Sequence, residues 1–173
     1  MIGELIYYAV GVAIISAASY ASLSIGPIPI TLQSLAVLLV AATFRGRGTL
    51  IVAAWLFVGA AGAPVFAGGA SGMHHLTGAG AGFLWGMLIA ARYTQLAAHR
   101  GETSTFSRAI GTFAVGTGII LTIGYGRLAF DLGPVQAWYS GVQPFLAGAV
   151  IKVLAGAALV SPAERVISRV EAR

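Results

Sequence analysis

The sequence predicts an all-α integral membrane protein, a bundle of six transmembrane helices in one domain over residues 1–173 with both termini cytoplasmic. Three observations carry this. Of 173 residues, 58% are hydrophobic and only 9% charged, with mean hydropathy +0.89. A water-soluble domain of this size could not cover its surface with so few polar groups, so lipid is the expected solvent. Six apolar segments each approach the length that crosses a hydrocarbon layer of about 30 Å. The basic residues also fall on alternate loops.

The segments run from about 5–25, 28–44, 48–66, 79–98, 109–130 and 142–161. Glu4 is the only charge before the first, and that run is too long for the apolar region of a secretory signal. The second is short, and Pro27 and Pro29 make its start irregular, which a bilayer tolerates only where protein or a cavity covers the backbone. Arg45 and Arg47 follow the second segment, Arg100 and Arg108 separate the fourth from the fifth, and Arg165, Arg169 and Arg173 follow the sixth. The other loops carry only Arg127, four residues before Asp131 and so placed to pair with it on a helix. The positive-inside rule then puts both ends in the cytoplasm of a multi-pass protein of the cell membrane. The net charge of +5 is accounted for by this topology, and no nucleic-acid partner is expected. Residues 163–173 read as a short amphipathic cytoplasmic end.

Between the third and fourth segments lies GAAGAPVFAGGASGMHHLTGAGAG (59–82), with eight glycines in 24 residues. Such a stretch permits tight turns and close backbone approach, and reads equally as a packed re-entrant loop or as a lid over an outward-facing pocket. No Gly-Lys-Ser/Thr follows it, so it is not a phosphate-cradling loop and the chain has no visible means of hydrolysing ATP. GASG (69–72) resembles the serine motif of rhomboid intramembrane proteases, with Ser71 as the nucleophile. That chemistry needs a base on a later span, and His74, His75 and His99 all lie elsewhere. His74 and His75 are a poor metal site, because adjacent side chains point apart and no third ligand is near. With no cysteine there is no thiolate chemistry, and neither a cofactor nor a metal is expected.

Two stripes of small residues suit close helix contact in lipid. Gly78, Gly82 and Gly86 are expected to pack within the bundle. Ala9, Ala13, Ala17 and Ala21 fit either internal packing or docking against another membrane protein. Lys152 stands near the middle of the sixth segment, about ten residues and 15 Å from either end. A charge there is expensive, by roughly 3 kcal/mol on insertion scales, and usually faces a cavity or partner. No segment core holds an acidic residue, so a ligand carboxylate is one candidate partner; backbone carbonyls or Asp131 are the structural alternatives.

Taken together, these segments resemble the BioY family, the biotin-specific S components of energy-coupling-factor transporters. GPIPITLQSLAVLLVA (26–41) resembles the family's Pro-x-Pro-x-Thr-Leu-Gln segment, and GAAGAPVFAGGASG (59–72) its Gly-Ala-x-Gly-x-Pro-Val-Phe-Ala-Gly-Gly block. TGAGAGFLWG (77–86) and QPFLAGAVIK (143–152) parallel its Gly-Pro-Thr-Gly-Gly-Tyr/Phe-Leu and Pro-Phe-x-x-Gly-Asp-x-x-Lys runs. Ala79-Gly80-Ala81-Gly82 stands where the family has Pro-Thr-Gly-Gly, and Ala149 where it has an aspartate. The resemblance implies a non-enzymatic membrane protein that binds biotin outside the cell and delivers it inward. Lys152 would hold the valerate carboxylate, with Gln33 and Ser71 as polar contacts. Phe66 and Trp85 would be apolar walls, and Gly68 and Gly69 would let a lid approach closely. Ala9, Ala13, Ala17 and Ala21 would meet a transmembrane coupling subunit that works with two ATPase subunits. A transporter of another small anionic vitamin would keep this architecture and change the ligand.

Overall fold

A computed structural model describes residues 2–23, 30–44 and 46–171, with 2, 22, 23, 30 and 164–171 described by their backbone alone. Pro27, Pro29, Arg45 and the side chains of Arg165, Arg169 and Arg173 lie outside the described residues. The chain forms α1 (Ile2–Tyr20), a two-residue antiparallel pair β1 (Ser22–Leu23) and β2 (Ile30–Thr31), α2 (Gln33–Thr43), α3 (Gly48–Ala60) and a 3-10 turn at Ala67–Gly69. There follow α4 (His74–Thr77), α5 (Ala81–His99), α6 (Phe106–Leu132), α7 (Pro134–Gly141) and α8 (Gln143–Glu171). The architecture is a helical bundle.

Each predicted segment contains a helix, but the bounds shift where backbone chemistry intervenes. Three helices, at Gly3–Tyr20, Phe106–Leu132 and Gln143–Ala163, are long and apolar enough to cross a membrane. α5 has the length but carries Arg92, Tyr93, Thr94 and Gln95 in succession, and the exposed Arg92 lies where its stem can snorkel toward the nearby helix end. α2 and α3 have only 11 and 13 residues, about 16 and 20 Å at 1.5 Å per residue. The third segment, expected to reach residue 66, leaves the helix after Ala60, and the second is helical only from Gln33. Gly62, with φ of 109°, lies in the turn that ends α3. The first, expected to reach residue 25, gives up its helix at Tyr20 and enters β1.

Contacts fix which helix ends sit together. At one end, Glu4 pairs with Arg47, whose guanidinium also lies 5.0 Å from the Tyr7 ring, tying the start of α1 to the α2–α3 loop. Gln95 Oε1 accepts from the Thr49 amide and hydroxyl, both at 2.7 Å, so the start of α3 meets the second half of α5. At the other end the Tyr20 hydroxyl donates to the Pro64 carbonyl at 2.7 Å, and Arg127 donates to Asp131 at 2.5 Å and to the Thr77 carbonyl at 3.0 Å. The predicted i,i+4 pair is therefore present, and it also anchors α4.

α5 and α6 form the most extensive helix pair, and two of the striped glycines explain why. A Cβ at Gly82 would lie 2.5 Å from Arg127 Cβ and 2.6 Å from the Ile123 carbonyl; one at Gly86 would lie 3.0 Å from Ile120 Cα. From α6, Gly124 makes room for the Phe83 ring. Gly78 departs from the expected stripe. It precedes α5, and its nearest neighbour is the His74 carbonyl. The backbones of α5 and α6 are the unyielding atoms at this crossing, so Gly82→Val should destabilise the protein by about 1–3 kcal/mol, the usual cost of overpacking. Gly118→Ala, whose Cβ meets nothing within 4 Å, should be silent. Thermal unfolding in detergent compares the two; equal melting temperatures would refute close backbone contact at this crossing.

Candidate functional site

The chain between α3 and α5 leaves helical geometry where it packs on the bundle, so each of its buried polar backbone groups needs a partner. The bonds are local and dense. The Ala63 amide donates to the Val58 carbonyl, Phe66 to Ala70, Gly69 to Phe66, and Gly72 back to Gly59 at 2.7 Å. The Val65 carbonyl accepts from Ser19 Oγ at 2.9 Å and from Trp55 Nε1 at 3.1 Å, so α1 and α3 both hold the turn. Positive φ at Gly68 (65°), Gly69 (79°) and Gly72 (103°) supplies the reversals. A side chain at Gly69 would also press on the Tyr20 ring at 3.1 Å.

This clamped segment roofs a cavity of about 350 Å³. Phe66, 2% exposed, is its central wall: its ring meets Trp55 edge-on at 5.2 Å and His75 at 5.8 Å, and Gly59 leaves the space the ring occupies. Ala67 and Ala70 line the roof, His74 and His75 one flank, Phe83, Leu84 and Met87 of α5 another. Gln33, the first residue of α2, lines the same cavity. It is 2% exposed, and its Nε2 has no hydrogen-bond partner among the described residues. A buried donor left unmade costs about 1–3 kcal/mol, which an acceptor on a bound molecule would recover.

Thr31, Phe83 and Met87 also wall a second, smaller chamber of about 60 Å³, closed by Ser34, Thr117, Phe145, Ala149 and Lys152. Lys152 Nζ is half-buried and donates to Ser34 Oγ at 3.1 Å. Among the described residues the ion pairs are Glu4–Arg47 and Arg127–Asp131, and Lys152 belongs to neither. No carboxylate among the described residues lines either chamber. Asp131, one structural alternative for the lysine, is taken by Arg127. The arrangement is a two-chambered cleft, largely apolar, with an unpaired amide donor in the wide part and a cation in the narrow part.

Three of the residues singled out from sequence thus meet at the cleft: Gln33, Phe66 and Lys152. Four lie off its walls. Gly68 and Gly69 shape the roof from behind, Ser71 lies just beyond it half-buried, and Trp85 is 44% exposed with its Nε1 donating to the Leu76 carbonyl at 3.0 Å. Trp85 stands two residues after Phe83 on α5, which turns it to another face of that helix. Ala9, Ala13, Ala17 and Ala21 are all exposed on one side of α1. The expectation that His74 and His75 point apart does not hold. The short α4 brings their ring centroids within 4.1 Å, with no third His, Cys, Asp or Glu among the described residues to complete a metal set. Sequence reading passed over Thr31, Ser34, Phe83, Met87 and Phe145. Each is an ordinary core or helix-start residue until the fold brings it to the cleft, and only Thr31 and Ser34, flanking Gln33, carried a polar signal.

Known proteins resemble this chain along most of its length. The BioY family model matches residues 1–169. The biotin transporter BioY of Thermotoga maritima is 33% identical over 156 residues, which cover 89% of this chain and 91% of that protein. The probable biotin transporter BioY of Pyrococcus horikoshii is 32% identical over 150 residues, covering 86% and 88%. A crystal structure of the S-component for biotin from an ECF-type ABC transporter superposes with a TM-score of 0.82 at 21% identity over 95% of this chain and 92% of that one, a likeness of fold. On the match along nearly its whole length, the chain belongs to the BioY family.

Proposed function

We propose that this chain takes up biotin across the cytoplasmic membrane as the substrate-binding S component of an energy-coupling-factor transporter. The observation that carries the reading is Lys152, a half-buried ammonium bonded among the described residues to a serine hydroxyl and to no carboxylate, in the narrow chamber that continues the Gln33 cavity. Biotin is a compact bicycle with a cyclic urea at one end and a carboxylate on a flexible tail at the other. A wide chamber of about 350 Å³ with an unpaired amide donor suits the bicycle, and falls within the usual 300–1,000 Å³ of small-molecule sites. The narrow chamber suits the tail, which brings the carboxylate to Lys152. Phe66 supplies the apolar wall, and Gly68, Gly69 and Ser71 shape the roof above it.

The same reading includes six membrane crossings with both termini cytoplasmic in a single domain. It is supported by Arg47, Arg100 and Arg108, which stand at the end of the bundle where α1 starts. α2 and α3 complete their crossings with the irregular segments that roof the cleft. Energy comes from a transmembrane coupling subunit with ATPase subunits, because the chain holds no nucleotide motif. The exposed Ala9, Ala13, Ala17 and Ala21 form the face that meets the coupling subunit, since small side chains let two backbones approach closely in lipid.

Three outcomes test these points. Single cysteines at Gly46 and Ser104 should resist an impermeant thiol reagent in intact cells, whereas one at Ala70 should react; labelling of the first two from outside reverses the topology. Lys152→Met should keep its melting temperature and lose biotin affinity by about 2–5 kcal/mol, the cost of one unpaired buried charge. Biotin amide should bind the unaltered protein weakly, and equal affinity for acid and amide would make the lysine structural. Ala13→Trp, on the exposed side of α1, should bind biotin normally in purified form yet lose uptake and co-purification with the coupling subunit. Normal uptake by that variant would move the docking face elsewhere.

A further inference from the structure

The biotin reading leaves one chemical requirement open, and the next step rests on that reading. A cyclic urea has one carbonyl acceptor and two N–H donors, and buried donors need acceptors. In the wide chamber the unpaired Gln33 Nε2 can serve the carbonyl. No carboxylate among the described residues lines the chamber to serve the N–H groups. The two imidazoles on its flank are polar side chains with a lone pair to offer, and among the described residues neither ring is engaged in a hydrogen bond of its own. His75 is the better placed. It is half-buried, with its ring against the buried Phe66 at 5.8 Å on one side and against His74 at 4.1 Å on the other, so both neighbours hold its orientation.

We infer that His75 is a specificity-determining residue of the wide chamber, accepting a hydrogen bond from an N–H of the ligand's ureido ring while Gln33 donates to its carbonyl. The role requires a neutral imidazole, because the doubly protonated ring has no acceptor. Burial and the adjoining His74 hold the His75 imidazole below the ordinary value of about 6.5, so the acceptor form prevails at neutral pH. Capture should then be independent of pH above that range and weaken as pH falls through the lowered value, while the ligand carboxylate is still ionised.

The other charged and titratable groups stand on the elements around α4. Arg127, which reaches the Thr77 carbonyl, and its partner Asp131 face α4 from α6. α3 brings no titratable group, the 3-10 turn brings none, and α1 brings only Tyr20 to this end, its Glu4, Tyr7 and Tyr8 standing at the other. On α5, Arg92, Tyr93 and His99 stand in the half remote from α4, and Lys152 belongs to the neighbouring chamber. His74 is the ionisable side chain in direct contact with His75, ring against ring.

The test measures biotin binding to the purified full chain by calorimetry from pH 5.5 to 8.5, with His75→Phe, His75→Asn and His74→Phe alongside. The unaltered protein should bind with constant affinity above pH 7 and lose up to about tenfold per unit once below the His75 pKa. His75→Phe should be about tenfold weaker at pH 8, the loss of one hydrogen bond in a desolvated site, and should lose the pH dependence. His75→Asn, which keeps an acceptor that does not titrate, should stay within about threefold at pH 8 and be pH-independent. His74→Phe should keep the dependence, with its midpoint moved upward by removal of the neighbouring charge. N-methylation of the biotin ureido nitrogen should weaken binding to the unaltered protein more than to His75→Phe. A flat pH profile for the unaltered protein, or a dependence that survives His75→Asn, would overturn the inference. Absence of biotin binding at pH 8 would instead overturn the transport reading itself, so the two failures are separable.

Discussion

Everything about this fold follows from one constraint: a backbone group that leaves a helix inside an apolar bundle must find a partner within the protein. The Val65 carbonyl shows the solution most clearly. It lies beyond the end of α3, accepts from Ser19 on α1 and from Trp55 on α3, and so pins the turn where the chain reverses. The Pro64 carbonyl beside it is held by Tyr20. Given these anchors, α3 can stop after 13 residues without leaving unsatisfied groups in lipid, and the chain beyond it is free to build a roof.

That economy produces the cleft. A bundle of uninterrupted helices would fill its own interior, whereas short α2 and α3 leave room at one end. Gly59 admits Phe66, Phe66 orients His75, and Gly124 admits Phe83, so the walls are set by glycines on one element receiving rings from another. Polar groups are then left deliberately incomplete. Among the described residues, the Gln33 amide faces the cleft without a hydrogen-bond partner and the Lys152 ammonium faces it without a counter-charge, and both cost stability. On the proposed reading, a ligand with an acceptor at one end and an anion at the other would offset both costs.

The roof also joins the cleft to the outer helix. Tyr20 and Ser19 stand at the end of α1, whose exposed alanines run toward its start. The same helix therefore holds the loop over the cleft and presents an exposed face of small side chains. Rigid attachment at both ends, through Glu4–Arg47 at one and Tyr20–Pro64 at the other, keeps α1 aligned with the bundle.

The sequence by itself determined the apolar solvent, the order of the apolar segments, the placing of basic residues on alternate loops, and the isolation of Lys152. These are local in character: hydropathy, spacing and charge do not depend on what lies across the bundle. Gln33 and Phe66 were marked through the family resemblance, by the Pro-x-Pro-x-Thr-Leu-Gln and Gly-x-Pro-Val-Phe segments that contain them. Tertiary structure alone decided where helices end, since the Tyr20, Ser19 and Trp55 donors that allow α3 to stop come from distant positions. It decided that Trp85 turns away from the cleft while Phe83, two residues earlier, lines it, because helix rotation is fixed by packing against α6 and not by hydropathy. It brought Ala149 and Ser34 to the same chamber as Lys152, and it set two adjacent histidines ring against ring, where an extended chain would have pointed them apart.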